Sequence, residues 1–234
     1  MANVLITGAS RGLGLALTEE YAKKGFSVIA CSRKGMNDSL KALQEKFKDL
    51  IKVFTMDVTD QKSVDKAADE IRNTVKSIDI IINDAALLGA DVNIKFEDID
   101  AENTLNVINT NTLGPFRVTQ AFLELLEKGG LKNIVNITSG FGSISCCDRL
   151  WPIDYSMSKA ALNMQTVLLQ HYLKERRIKL LTVDPGSFWS GMGGAQGFYS
   201  PNDAACKVIT VIDEFGGNID GPIYLNYKGE VVPY

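Results

Sequence analysis

Val4-Leu5-Ile6-Thr7-Gly8-Ala9-Ser10-Arg11-Gly12-Leu13-Gly14 is a short apolar run followed by three glycines spaced Gly-x-x-x-Gly-x-Gly. Glycine is needed where a chain turns sharply or where its backbone must approach a ligand. A stretch of helical period begins at Gly14, so the turn lies between a first strand and a first helix. Such a helix start offers free amides and a positive dipole end to a pyrophosphate. Glycines in that setting are a far stronger signal than glycines alone. Gly8, Ser10, Arg11, Gly12, Leu13 and Gly14 are therefore the expected phosphate-side contacts.

The same order of elements repeats outward along the chain. Apolar runs rich in Val and Ile are expected as strands at residues 4–7, 27–31, 52–56, 78–83, 133–138, 179–183 and 223–226. Helical period occupies residues 14–24, 39–48, 63–76, 102–127, 155–175 and 202–215. Lys23-Lys24-Gly25 and Lys128-Gly129-Gly130 place cations and then glycine where helices end. Alternating strands and helices predict an α/β fold: a doubly wound, Rossmann-type sheet of seven parallel strands with helices on both faces. In such a sheet ligands bind at the carboxyl ends of the strands, near the point where strand order reverses. No repeat or linker divides residues 1–234, so one dinucleotide-binding and catalytic domain is expected.

Composition narrows the function. Of 234 residues, 45% are hydrophobic and 23% charged, with a formal net charge of −3 and no basic stripe, which argues against a nucleic-acid partner. No apolar run approaches the roughly 18 residues of a membrane span, and the N-terminus lacks a signal-peptide pattern. Cys31, Cys146, Cys147 and Cys206 lack metal-ligand spacing, so no metal is expected, and a reducing, cytoplasmic location fits them best. His171 is the single histidine. Its Gln and Lys neighbours suggest a surface position, which leaves little from which to build a Ser-His-Asp triad.

The second strand ends Ile29-Ala30-Cys31-Ser32-Arg33, about 20 residues past the glycines, where an acidic group usually holds an NAD ribose. Ser32 and Arg33 stand there instead, with Arg11 projecting from the glycine turn. Two guanidinium groups and no carboxylate favour a 2′-phosphate, hence NADP(H). Two solvated surface arginines are the other reading of the same residues.

Tyr155 and Lys159 stand four apart at the start of a helical stretch, so their side chains share one face. A phenol with a pKa of about 10 needs a neighbouring positive charge to become a useful acid or base, and Lys159 is placed to supply it.

With these features in order, the chain resembles the short-chain dehydrogenase/reductase family over nearly its whole length. Asp57-Val58 is similar to the family's adenine-contacting pair, and Asn83-Asp84-Ala85-Ala86 matches Asn-Asn-Ala-Gly in part. Asn111 matches the family's helix asparagine, and Ser139 its active-site serine. Tyr155 and Lys159 match the Tyr-x-x-x-Lys pair. Pro185-Gly186 with Ser190 is similar to the segment that holds the nicotinamide amide, with Phe188 between them. Within the family, Ser190-Gly191-Met192-Gly193-Gly194, Ser158 to Asn163 and Asn226-Tyr227-Lys228-Gly229-Glu230 resemble the sniffer-like carbonyl reductases and the C-factor group.

The resemblance implies hydride transfer between NADP(H) and a small carbonyl or alcohol substrate. Tyr155 would be the proton donor and Ser139 would polarise the reacting oxygen. Lys159 would lower the phenol pKa and bind the nicotinamide ribose, and Asn111 would hold a water that links Lys159 to solvent. It also implies a homodimer or homotetramer formed through the helices at 102–127 and 155–175. Loops at about 140–154 and 186–200, bearing Leu150, Trp151, Phe188, Trp189, Met192 and Phe198, suggest an apolar or aromatic substrate. Those aromatics would equally serve a subunit contact. A regulatory protein of the C-factor kind, binding NADP(H) with little need for turnover, is the competing function. Two departures from the family stand out: Asp84 replaces asparagine, and Ala86 replaces glycine.

Overall fold

The computed structural model of the protein describes residues 1–89, 94–148, 152–189 and 197–234. Its strands are β1 (Asn3–Thr7), β2 (Ser27–Ser32), β3 (Ile51–Thr55), β4 (Ile80–Asn83), β5 (Asn133–Ile137), β6 (Lys179–Asp184) and β7 (Tyr224–Asn226). They form one parallel sheet in the order β3-β2-β1-β4-β5-β6-β7. Strand order reverses between β1 and β4, so the crevice of a doubly wound sheet opens beyond Thr7 and Asn83.

The helices are α1 (Gly12–Lys23), α2 (Asp38–Phe47), α3 (Gln61–Arg72), α4 (Ala101–Ile108), α5 (Gly114–Glu127), α6 (Ile153–Leu173) and α7 (Pro201–Phe215). Successive strand residues face opposite sides. Val4 and Ile6 of β1 therefore pack under α1 and α7 with Leu17, Tyr21, Val208 and Ile212, whereas Leu5 packs under α3 and α5 with Ile71, Val118 and Phe122. Burial of each such side chain contributes about 1.5–3 kcal/mol, which makes an acidic substitution at Leu5 or Ile6 a change the sheet would not survive.

Local chemistry sets the helix starts. Asn37 accepts from the Leu40 amide at 2.9 Å, Asp60 from the Lys62 amide at 3.0 Å, and Ser200 with Asp203 forms a capping box before Pro201. Helix α1 is different, because Arg11 at its N-cap makes no side-chain cap. Its end follows the expected pattern: Lys23, Lys24 and then Gly25, which takes φ +81°.

The predicted helix at 102–127 is interrupted. Residues Asn109–Leu113 form a π-helical turn between α4 and α5, which shifts the helix register at Asn111. The helix containing Tyr155 forms as expected, but its sheet-facing side is not an apolar stripe. Lys159, Asn163, Thr166 and Gln170 are all buried there. Each has a partner: Lys159 donates to the Ile137 carbonyl, Asn163 accepts from Thr138, Thr166 accepts from Asn136, and Gln170 accepts from the Leu180 amide. Left unpaired, each group would cost roughly 1–3 kcal/mol, so these bonds fix how α6 sits on β5 and β6. His171, on the same helix, is exposed.

Candidate active site

A cavity of about 700 Å³ opens at the carboxyl ends of the strands and runs from the glycine turn to α6. Gly8 takes φ +71°, and a Cβ there would lie 2.9 Å from the Ala85 backbone. The turns after β1 and β4 thus close on each other through a glycine that no side chain could replace without moving one of them. A Cβ at Gly14 would lie 2.5 Å from the Gly8 carbonyl oxygen, so the start of α1 is held equally tightly. Gly12 also has positive φ, +58°, but faces open space.

Ser10, Arg11, Gly12 and Leu13 line one end of this cavity with Ser32 and Arg33 beside them. Both arginines are exposed. Ser32 is buried, and its hydroxyl donates to the Gly35 carbonyl at 2.6 Å. Asp57 and Val58 form the next part of the wall, and one Asp57 oxygen is engaged by the amide and hydroxyl of Thr59. The uncapped amides of α1 with two guanidinium groups nearby are a donor set suited to a phosphorylated dinucleotide, and the glycine cradle admits its backbone-level approach.

Ser139, Tyr155 and Lys159 converge at the other end with Pro185, Gly186 and Phe188. Ser139 follows β5 in extended conformation, and its oxygen accepts from the Phe141 amide at 3.3 Å. The Ser139 hydroxyl favours the charged form of the Tyr155 phenol. Phe141 packs edge-on to the Tyr155 ring, with centroids 6.2 Å apart. The Lys159 ammonium lies 5.4 Å from that ring's centroid and donates to the Ile137 carbonyl at 2.7 Å.

Three predicted residues stand behind the cavity wall instead of lining it. Gly14 is packed on the Gly8 turn. Asn83 donates to Asn136 at 2.8 Å, in a buried chain that continues to Thr166. Asn111 accepts from the Leu87 amide and donates to the Leu87 carbonyl and to Ser158, all at 2.8–2.9 Å. Both amide hydrogens of Asn111 are thereby used, so a water between it and Lys159 would have to be held by carbonyl oxygens. Ser190, Met192, Leu150 and Trp151 lie outside the described residues, as do Gly191, Gly193 and Gly194.

The field in the site differs from the sequence expectation. Burial, followed by the carboxylates of Asp184 and Asp84, raises the Tyr155 pKa, and the Ser139 hydrogen bond opposes them only in part. The net effect of the protein's own groups is thus to raise the phenol pKa. Burial pushes Lys159 down to about 8, against the opposing pull of Asp84 and Asp184. Asp84 is itself pushed up to about 7 by burial, although Lys159 and the Gly14 amide favour its charge. Asp184 was not singled out from sequence. Its place at the end of β6, immediately before Pro185-Gly186, was the available signal.

The fold and site together define a nucleotide-binding α/β protein with a Ser-Tyr-Lys centre at the strand ends. The short-chain dehydrogenase family model matches residues 2–197, and the chain belongs to that family. It is 30% identical over 157 residues to the C-signal protein of Myxococcus xanthus, covering 67% of this chain and 93% of that one. The NADPH-bound carbonyl reductase from chicken fatty liver superposes with a TM-score of 0.90 at 26% identity, covering 100% and 99% of the two chains. The carbonyl reductase Sniffer of D. melanogaster has the same fold, with a TM-score of 0.89, 24% identity and full coverage of both chains. The similarities to the C-signal protein and to the chicken carbonyl reductase agree with the subgroup to which the sequence resemblance runs.

Proposed function

We propose that the protein is an NADP(H)-dependent reductase acting on the carbonyl group of small apolar or aromatic compounds, and that residues 1–234 act as one catalytic domain. The observation that carries this reading is the convergence of Ser139, Tyr155 and Lys159 at one end of a cavity whose other end holds the glycine turn and two arginines. Gly8 to Leu13 and the start of α1 would hold the pyrophosphate, and Arg11 with Arg33 the 2′-phosphate. When bound, NADPH supplies the hydride. Ser139 hydrogen-bonds the carbonyl oxygen, and Tyr155 delivers a proton to it as negative charge develops. A phenol with a raised pKa is fully protonated near neutral pH, which suits reduction. Lys159 holds the ribose and stabilises the phenolate left behind. Leu87, Leu88, Phe141, Pro152 and Phe188 supply apolar lining around that end, which supports an apolar or aromatic substrate.

Oligomerisation through α5 and α6 belongs to the same proposal. Met157, Met164, Leu168 and Tyr172 form an exposed apolar stripe along α6, and Leu113 and Phe116 lie exposed at the start of α5. Among the described residues no helix is long and apolar enough to cross a membrane.

NADPH oxidation against a panel of ketones, aldehydes and quinones tests the proposal, repeated with Tyr155→Phe. Wild-type turnover with a loss of about 10²–10⁴ in kcat, and an NADPH Kd within about threefold, is expected of the variant. Retained kcat in Tyr155→Phe would refute the mechanism. The similarity to the C-signal protein favours one second reading, a regulatory NADP(H) binder, and NADPH binding with a flat panel would support that instead.

A further inference from the structure

Asp84 ends the fourth strand's turn with its carboxylate against the first turn of α1. Its amide donates to the Thr7 hydroxyl at 3.1 Å, which fixes its backbone to β1. A Cβ at Gly14 would sit 2.7 Å from Asp84 Oδ2, so the carboxylate lies against the first turn of α1, where the Gly14 amide favours its charge. The residue lines the same cavity as Arg11, Gly12 and Leu13. A carboxylate thus occupies part of the anion-binding end of the helix on which the proposed function places a pyrophosphate.

The charged groups around it come from several elements. Lys159 and Tyr155 face it from α6, and Asp184 shares their field from the end of β6. Arg11 and Arg33 stand at the mouth beyond α1 and β2, and Asp57 follows β3. Lys159 is the cation that stabilises the Asp84 charge, and it is the cation on which the ribose and the phenol also depend.

We infer that Asp84 takes up a proton when the dinucleotide binds, so that cofactor binding and the charge state of the catalytic centre are linked. Placing phosphate anions at the start of α1 adds like charge beside a carboxylate that burial already disfavours, and the neutral acid relieves that repulsion. Protonation also removes one of the two carboxylates that raise the Tyr155 pKa. An asparagine at this position would be neutral throughout and could carry no such link. This inference rests on the NADP(H) reading above.

The test is carbon-13 NMR of the protein labelled at aspartate Cγ, titrated with and without saturating NADPH, with Asp84→Asn used to assign the resonance. Ordinary aspartates titrate near 4, so a carboxyl with a midpoint near 7 identifies itself even if the variant does not fold. The expected result is that its midpoint rises by about one pH unit or more with NADPH. A midpoint unchanged or lowered by NADPH overturns the inference and leaves the cofactor reading intact. The absence of any near-neutral aspartate also overturns it. If NADPH perturbs no resonance, the cofactor reading fails, and this inference fails with it.

Discussion

The Tyr224 phenol donates a hydrogen bond to the carbonyl oxygen of Ser139 at 2.7 Å. This bond joins the edge strand β7 to the loop that carries the candidate catalytic serine, 85 residues earlier in the chain. The Tyr224 ring is buried and packs on Tyr234, with centroids 5.5 Å apart. The same loop is tied from behind by Asn163, which accepts from Thr138 and donates to the Gly142 carbonyl. Ser139 is therefore positioned by groups from β7 and α6 that do not line the cavity.

Tyr224→Phe should lower kcat roughly tenfold while leaving the KM for NADPH within about twofold, since only the serine loop loses its anchor. The stability cost should be about 1 kcal/mol, the net worth of one hydrogen bond. Steady-state kinetics and urea unfolding give both values. A matched loss in NADPH binding would indicate that the bond supports the whole cavity instead.

Cofactor preference should respond to the arginines. Arg11→Ala and Arg33→Ala should each raise the KM for NADPH about tenfold, equal to roughly 1.4 kcal/mol, with NADH kinetics nearly unchanged. Ser32→Asp is a poor probe of the same preference. The Ser32 hydroxyl is buried and bonded to the Gly35 carbonyl, so a carboxylate there would face an acceptor and disturb the turn.

The pH dependence of stability carries the signature of Asp84. Its folded pKa of about 7 lies above the ordinary aspartate value of 3.8, so the folded state binds more protons than the unfolded chain between those values. That contribution is fully present at low pH and is lost as pH rises through 7. Thermal unfolding of Asp84→Asn should lack this decline between about pH 4 and pH 7, the window set by the two pKa values. Parallel pH profiles for the two proteins would contradict the assignment.

The α6 stripe makes a claim about assembly. Leu168 is 61% exposed on that stripe, and Leu168→Glu would place a charge at the centre of the proposed interface. Sedimentation should show a lower mass for the variant, because a buried unpaired carboxylate costs several kcal/mol. A wild-type monomer at micromolar concentration would refute the interface.

Most of the fold was legible from residues 4–14 and the alternation behind them, because a parallel sheet needs continuous apolar strands and each crossover helix announces its own period. All seven strands stand within two residues of their expected starts. The π turn at Asn111 escaped, since nothing in the local pattern of Asn109-Thr110-Asn111-Thr112-Leu113 distinguishes it from α-helix. Its Leu87 and Ser158 partners come from other elements. The polar inner face of α6 escaped for the same reason: Asn163, Thr166 and Gln170 are stable there only because β5 and β6 present matching groups.

By itself the sequence determined the class of fold, the glycine turn and the shared helical face of Tyr155 and Lys159, because each is written in residue types at fixed spacing, whereas Ser139 entered through the family resemblance. Tertiary structure alone decided the electrostatics. Asp84 and Asp184 lie 75 and 25 residues from Lys159 in the chain, yet the strand order brings both into the field of one buried ammonium. Proton affinities follow from distance and burial, and neither is a property of the sequence until the sheet has closed.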